Sequence, residues 1–261
     1  MRLVPASYVG HPSRIFISAG EVSGDITGSH LAEALLRGNP GVRLSGVGGE
    51  RMRRAGVEVL FDTNHLGSVG LSQSLSTLPG LKRTISEIRS HLSRSRPDVA
   101  VLIGHEVFHM FLARWLRTKG IPIVSYFPPQ VWLWGKVARW IAPGFDRILT
   151  SFPEEHDVYH GVGGRAIFVG HYLRDVIGSA DSERRQDILR NLQLGAQDRV
   201  VGLFPGSRVQ EIKTLLPLFL DVAQKLLGRD RSLRFVLPIA DELFEAEIRT
   251  LVAQLRLDDR I

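Results

Sequence analysis

The 261-residue chain contains no cysteine, which excludes disulfides and thiolate metal sites and fits a reducing cytoplasm. It has no apolar run approaching the ~18 residues that a membrane-spanning helix needs. The first thirteen residues offer no apolar core and no small-residue cleavage site, so no secretory leader is expected. Internal repeats and low-complexity tracts are also missing. Acidic residues are in deficit, leaving a formal charge of +6 whose basic excess is largely arginine. Nucleic acid, phosphorylated substrates and anionic membrane would all be drawn to such a surface, and the sign of the charge does not choose among them. What remains is an ordinary globular composition, 44% apolar and 23% charged, long enough for one or two domains at ~100–200 residues each.

The chain is organised around its first strand, turn and helix. An apolar run, Ile15 to Ile17, reads as a buried strand, and Ser18 to Gly24 as a small-residue turn. A helical pattern follows from Asp25 to Arg37. Gly20, Gly24 and Gly28 permit close approach of backbone to a ligand or a neighbouring strand. The turn is neither G-x-G-x-x-G nor a P-loop, because the glycine spacing and the lysine are both wrong. On physical grounds it is a ligand loop at the carboxyl end of a strand.

Strands and helices then alternate. Strands are expected at Val42–Val47, Val57–Phe61, Asp98–Ile103, Ile121–Tyr126, Arg147–Thr150 and Ala166–Val169, with helices between them. That rhythm implies a parallel sheet covered on both faces. After the segment His65–Leu81, a helix carries Leu78, Leu81, Ile85, Ile88 and Leu92 on one stripe, with Lys82, Arg83, Arg89 and Arg94 opposite. A core-facing surface helix is the favoured reading, and a basic element lying on an anionic membrane is the other. Near Gly178 the texture changes to a charged linker helix, Ser179–Gln193. A second α/β unit follows, with strands at Arg199–Phe204 and Leu233–Leu237 and helices at Glu211–Leu227 and Glu242–Leu255. Two parallel strands make a poor sheet, so this second unit looks unfinished.

Three places carry chemistry. Leu203-Phe-Pro-Gly-Ser-Arg-Val-Gln-Glu-Ile212 sets Gly206, Ser207 and free amides at a helix start, where phosphate oxygens are received. Arg208 adds a permanently charged clamp, and Glu211 caps the turn or orients the arginine. An ordinary helix start capped by Ser207 remains equally open. His105-Glu-Val-Phe-His109 matches H-E-x-x-H, with Glu106 as the would-be base and His171 only a guess for a third ligand. Its position on the turn leaving a parallel strand, not in mid-helix, argues against a zinc hydrolase. Acid–base work by His105, Glu106 or His109 at a strand end is the better reading. Last, Phe127-Pro-Pro-Gln-Val-Trp-Leu-Trp134 follows a strand. Gln130, Trp132 and Trp134 either cap the sheet or line a ligand cleft with His171.

Taken together, Ala19-Gly-Glu-Val-Ser-Gly-Asp25, Gly46-Val-Gly-Gly49 with Met52 and Gly56, Pro128-Pro-Gln-Val-Trp-Leu-Trp134, Phe168-Val-Gly-His171 and Leu203-Phe-Pro-Gly-Ser-Arg208 occur in one order. In that order they resemble the lipid-A-disaccharide synthases, inverting glycosyltransferases of the GT-B type. The resemblance implies an α/β, GT-B-like fold of two Rossmann-like parallel-sheet domains, the second incomplete. Residues 1–178 would form the acceptor side and 179–261 the beginning of the donor side. It implies transfer of 2,3-diacylglucosamine from its UDP derivative to 2,3-diacylglucosamine 1-phosphate, giving a β-1,6 disaccharide and UDP. It further implies no metal or cofactor, no nucleic acid, and a peripheral position on the anionic inner face of the cytoplasmic membrane. Gly20, Glu21, Ser23, Gly24 and Asp25 would line the acceptor side, and Gly206, Ser207, Arg208 and Glu211 the donor phosphates.

Two departures accompany the resemblance. Where the family has a pair of aspartates around this turn, the chain has Gly104 and Val107, so that the general base is missing and His105 or Glu106 is expected to replace it. The family's chains also run longer, and a C-terminal segment completing the donor pocket is expected as a partner. A non-catalytic, membrane-associated relative and another sugar-nucleotide glycosyltransferase are the alternatives.

Overall fold

A computed structural model describes residues 13–62, 78–104, 106–131, 135–178, 182–195, 198–207, 209–239 and 244–257. The chain divides into two compact units, Met1–Val176 and Ile177–Ile261.

The first unit is built on seven strands: β1 (Arg14–Ala19), β2 (Arg43–Gly48), β3 (Glu58–Asp62), β4 (Val99–Ile103), β5 (Ile123–Tyr126), β6 (Arg147–Thr150) and β7 (Ala166–Phe168). Every pairing is parallel, in the order β3-β2-β1-β4-β5-β6-β7. Between the strands run α1 (Val22–Gly38), α2 (Glu50–Arg54), α3 (Leu78–Arg94), α4 (Glu106–Thr118), α5 (Gly135–Ile141) and α6 (Pro153–Gly161). Helix α7 (Leu173–Ile177) follows β7.

The sequence of β4, Val-Ala-Val-Leu-Ile, is apolar at every position because both of its faces are covered. Ala100 and Leu102 join Phe16 and Ile123 in a core closed by Ile85, Ile88 and Leu92 of α3 and by Phe108, Leu112 and Leu116 of α4. Val101 and Ile103 join Ile17 and Ala19 on the other face, beneath α1 and α2. The stripe on α3 therefore faces the core, as the favoured reading held. Its first members, Leu78 and Leu81, and the segment 63–77 before it lie outside the described side chains.

One boundary is corrected. The turn expected over Ser18–Gly24 shrinks to Gly20 and Glu21, and Ser23, Gly24 and Asp25 belong to the first turn of α1. Glycine disfavours a helix by ~1 kcal/mol, but packing decides here. A Cβ on Gly24 would sit 3.1 Å from the Ala19 Cβ, and one on Gly28 2.6 Å from the Met52 sulfur. Both glycines let α1 lie close to β1 and α2.

The second unit contains β8 (Arg199–Gly202) and β9 (Leu233–Val236), a parallel pair, with α8 (Ser182–Asn191), α9 (Val209–Arg229) and α10 (Glu245–Gln254). Its core joins Leu216 and Leu220 of α9 to Leu233, Phe235, Ile248 and Val252. A cavity of about 890 Å³ opens beside β9, lined by Leu192, Arg234, Val236, Leu237, Ile248 and Val252 among others. Val200 and Phe204 are exposed. Among the described residues, no helix is long and apolar enough to cross a membrane.

Candidate functional site

In the first unit the strand order reverses between β1 and β4, and open parallel sheets bind ligands outside the carboxyl ends of strands at such a point. Two short connections meet there. From β1 the chain passes through buried Gly20 to Glu21, the extended N-cap residue of α1. From β4 it passes through Gly104, whose φ of +60° favours glycine. A Cβ added to Gly104 would lie 3.4 Å from Glu21 Oε1, so the Glu21 carboxylate stands against the space that a side chain at 104 would occupy. It makes no side-chain cap bond to α1. The positive end of that helix nonetheless favours its charge.

His109, the second histidine of the H-E-x-x-H run, is 2% exposed and turned inward. Its Nδ1 lies 2.5 Å from the Gly104 carbonyl oxygen and its Nε2 2.9 Å from Ser18 Oγ. A carbonyl can only accept, so Nδ1–H donates to Gly104 and Nε2 receives the Ser18 hydroxyl. Both nitrogens are engaged in tying α4 to β1 and to the end of β4, which removes His109 from any zinc site. Sequence reading missed Ser18, whose signal was a lone hydroxyl directly after the apolar run Ile15–Ile17. His105 lies outside the described residues, as does the side chain of Glu106.

Asp25, expected on the acceptor-side loop, has its carboxylate engaged within the scaffold. Its carboxylate is buried and accepts the amides of Gly49 (2.6 Å), Arg51 (3.1 Å) and Met52 (3.1 Å). It thereby caps the start of α2, where orphan N–H groups need acceptors. A Cβ on Gly49 would come within 2.7 Å of Asp25 Oδ2, so glycine at 49 makes room for the anchor. Gly48, Gly49 and Met52 thus belong to the packing of α1 and α2, while Gly46 lets β2 lie close to the Ile17 backbone of β1. Ser23 is exposed, and its carbonyl takes the Thr27 hydroxyl.

Rings gather at the ends of β5, β6 and β7. Phe127 follows β5 with a φ of 53°, a left-handed conformation that costs a non-glycine residue roughly 1–3 kcal/mol and recurs at ligand sites. Its ring meets Tyr126 at 4.9 Å, His171 at 4.9 Å and Tyr172 at 5.7 Å. Phe152 approaches His171, and His30 of α1 approaches Tyr172. Burial pushes the Tyr126 phenol up to about 12, with help from Tyr172 and Asp175. The Pro-Pro turn is pinned by the Tyr159 hydroxyl, which donates to the Pro129 carbonyl at 3.0 Å. His171 therefore does meet the start of the loop after β5. Gln130 is exposed, and Trp132 and Trp134 lie outside the described residues. Glu155 of α6 is buried and reaches back to the amides of Ser151 and Phe152. Burial raises its pKa against those two bonds.

In the second unit Gly206 has a φ of +106°, and Glu211, in the first turn of α9, accepts the Ser207 amide at 3.0 Å. An amide expected to receive phosphate is therefore held by a carboxylate, which an incoming anion must displace. Arg208 lies outside the described residues.

A parallel sheet whose order reverses between β1 and β4, followed by a second α/β unit, is a Rossmann-like fold of the GT-B kind. The solved structure of UDP-GlcNAc 2-epimerase from Neisseria meningitidis, bound to UDP-GlcNAc, has a similar fold. Its TM-score is 0.62 at 11% identity, over 93% of this chain and 69% of that one. Residues 15–259 match the family described as lipid-A-disaccharide synthetase, and the chain belongs to that family. It is 39% identical to the lipid-A-disaccharide synthase of Geobacter sulfurreducens over 94% of this chain and 64% of that protein. With the Syntrophotalea carbinolica synthase the identity is 38%, over 94% of this chain and 62% of that protein. The chain thus spans less than two thirds of the length of these curated relatives.

Proposed function

We propose that this chain carries the acceptor side, and the beginning of the donor side, of a lipid-A-disaccharide synthase. The reaction is transfer of 2,3-diacylglucosamine from UDP to the 6-hydroxyl of 2,3-diacylglucosamine 1-phosphate. The observation that carries the reading is the meeting of Glu21 and Gly104 at the sheet reversal, in a chain of this family. Glycosyl transfer with inversion needs a base on the acceptor hydroxyl and charge stabilisation on the departing diphosphate. His105 and Glu106, just after β4, are the bases proposed from the sequence. Glu21 is a third, supported by its carboxylate lying against Gly104. Gly206, Ser207 and Arg208 receive the diphosphate, with Glu211 released from the Ser207 amide as the anion enters. Gly20 and Ser23 border the acceptor, and Gln130, Trp132, Trp134 and His171 the cleft wall. No metal or other cofactor takes part.

The acyl chains of both substrates call for attachment to the inner face of the cytoplasmic membrane. A C-terminal segment beyond this chain is proposed as the partner of the second unit, where among the described residues β8 and β9 pair only with each other and the cavity beside β9 has room for further side chains. A non-catalytic member of the family is the second reading, and the bare Gly104 is the observation that favours it.

The test is UDP release from the two lipid substrates by the chain alone and by the chain with the separately expressed C-terminal remainder of the Geobacter relative. Release by either preparation is expected. None from both, while the intact relative releases UDP in the same assay, would overturn the catalytic reading in favour of the non-catalytic one.

A further inference from the structure

Helices α4 and α5 lie on the same face of the sheet. Leu102, Ser125 and Ile148 are register partners across β4, β5 and β6, and they carry one row of side chains beneath the two helices. Phe145 packs against the core below α4 and against the core below α5. Phe108, Leu112 and Leu116 point inward from α4, as do Ala138 and Ile141 from α5. The opposite sides of both helices hold large apolar groups in water. Trp140 is 81% exposed, Phe111 54%, and Met110 and Val137 are exposed as well.

Past Glu106, the charged side chains carried by α4, α5 and the chain between them have one sign. Between Glu106 and Asp146 the chain has no acidic residue, and it has five basic ones: Arg114, Arg117, Lys119, Lys136 and Arg139. All five are exposed. Exposed apolar groups rimmed by charge mark an interaction surface.

We propose that the outward face of α4 and α5 is a docking surface for an anionic phospholipid layer, with Trp140 and Phe111 as its anchors. This deepens the membrane part of the proposed function by naming the face that meets the lipid. Indole and phenyl groups settle at the headgroup level, and basic side chains around them meet the lipid phosphates. A second copy of the chain is the poorer occupant, because a two-fold contact would set the five positive charges of one face against the same five of the other. Nucleic acid is poorer too, since Met110 and Val137 give it nothing to bond. Ile85, Ile88 and Leu92, the part of the α3 stripe whose side chains are described, are buried and offer no membrane face.

The experiment is co-sedimentation of the full chain with phosphatidylcholine vesicles, with and without phosphatidylglycerol. Variants are W140D/F111D, K136E/R139E and, as a control on the opposite sheet face, R37E/R54E. All sites are exposed, so circular dichroism should show each variant folded. The wild-type chain should bind only the anionic vesicles. Each lost basic group should cost about fivefold in affinity, making K136E/R139E weaker by roughly 25-fold or more. W140D/F111D should lose roughly tenfold or more, and R37E/R54E should bind nearly as the wild type does. Binding kept by both α4–α5 variants overturns this face and leaves membrane attachment by another surface standing. No binding by the wild-type chain overturns both. A wild-type dimer in sedimentation velocity that W140D/F111D dissociates would assign the face to self-association and overturn the lipid proposal.

Discussion

Replacing Asp25 by alanine separates a structural from a ligand-binding role for the most polar residue of the opening motif. The carboxylate accepts three backbone amides, at 2.6, 3.1 and 3.1 Å, from a position 6% exposed. Hydrogen bonds to a charged group contribute ~1.5–3 kcal/mol each, and removing the acceptor also leaves buried donors unsatisfied. The three share one group and are not additive, so Asp25→Ala should destabilise the first unit by about 3–5 kcal/mol. For a unit of this size that lowers Tm by roughly 6–20 °C. Asp25→Asn keeps one carbonyl oxygen and should cost about half as much. All four tryptophans precede Val176, so denaturation followed by tryptophan fluorescence reports on the first unit alone. If Asp25→Ala unfolds within about 1 kcal/mol of the wild type and instead abolishes substrate binding, the anchoring role is refuted and Asp25 is a ligand residue.

In the UDP-release assay, Glu21→Gln should lower the rate by roughly 10²–10⁴, the usual worth of a general base, and Glu21→Asp should recover part of it. An unchanged rate in Glu21→Gln would return the role to His105 or Glu106. Tyr126 titrates near 12 in the fold and near 10 when unfolded. Its contribution to stability is therefore complete below pH ~10 and is lost as pH rises from there through about 12. Tyr126→Phe should flatten the alkaline stability profile in that window, and phenolate absorbance should show one late-ionising tyrosine fewer than in the wild type. A profile identical to the wild type would refute the assignment.

The strands were largely legible because burial on both faces writes itself into the sequence as unbroken apolar runs: Val99–Ile103 needed no context to be read. The stripe on α3 was legible as periodicity, and its burial followed. The turn of α1 before Asp25 was not, because Ser23 and Gly24 have the composition of a turn. They are helical for reasons that lie elsewhere in the chain, at Ala19 and at the amides of Gly49, Arg51 and Met52. The same holds for His109, whose partners Ser18 and Gly104 are chosen by the pairing of β1 with β4. A motif tells which residues are needed and not whether a ligand or another segment needs them. Glu21 and Asp25 stand four residues apart, one facing the sheet reversal and the other committed to the scaffold.

The position of β1 also sets a schedule. It pairs with β2 on one side and, through Ile15 opposite Val99, with β4 on the other. A ribosome adding about 5–20 residues per second delivers β4 roughly 4–17 s after β1. Until then the nascent chain holds β3, β2 and β1 in that order, with the β4 side of β1 an open edge and with Phe16 without its cover from α4. Such an edge is a template for wrong pairing, so the interval before β4 emerges is when the growing chain has most need of a chaperone.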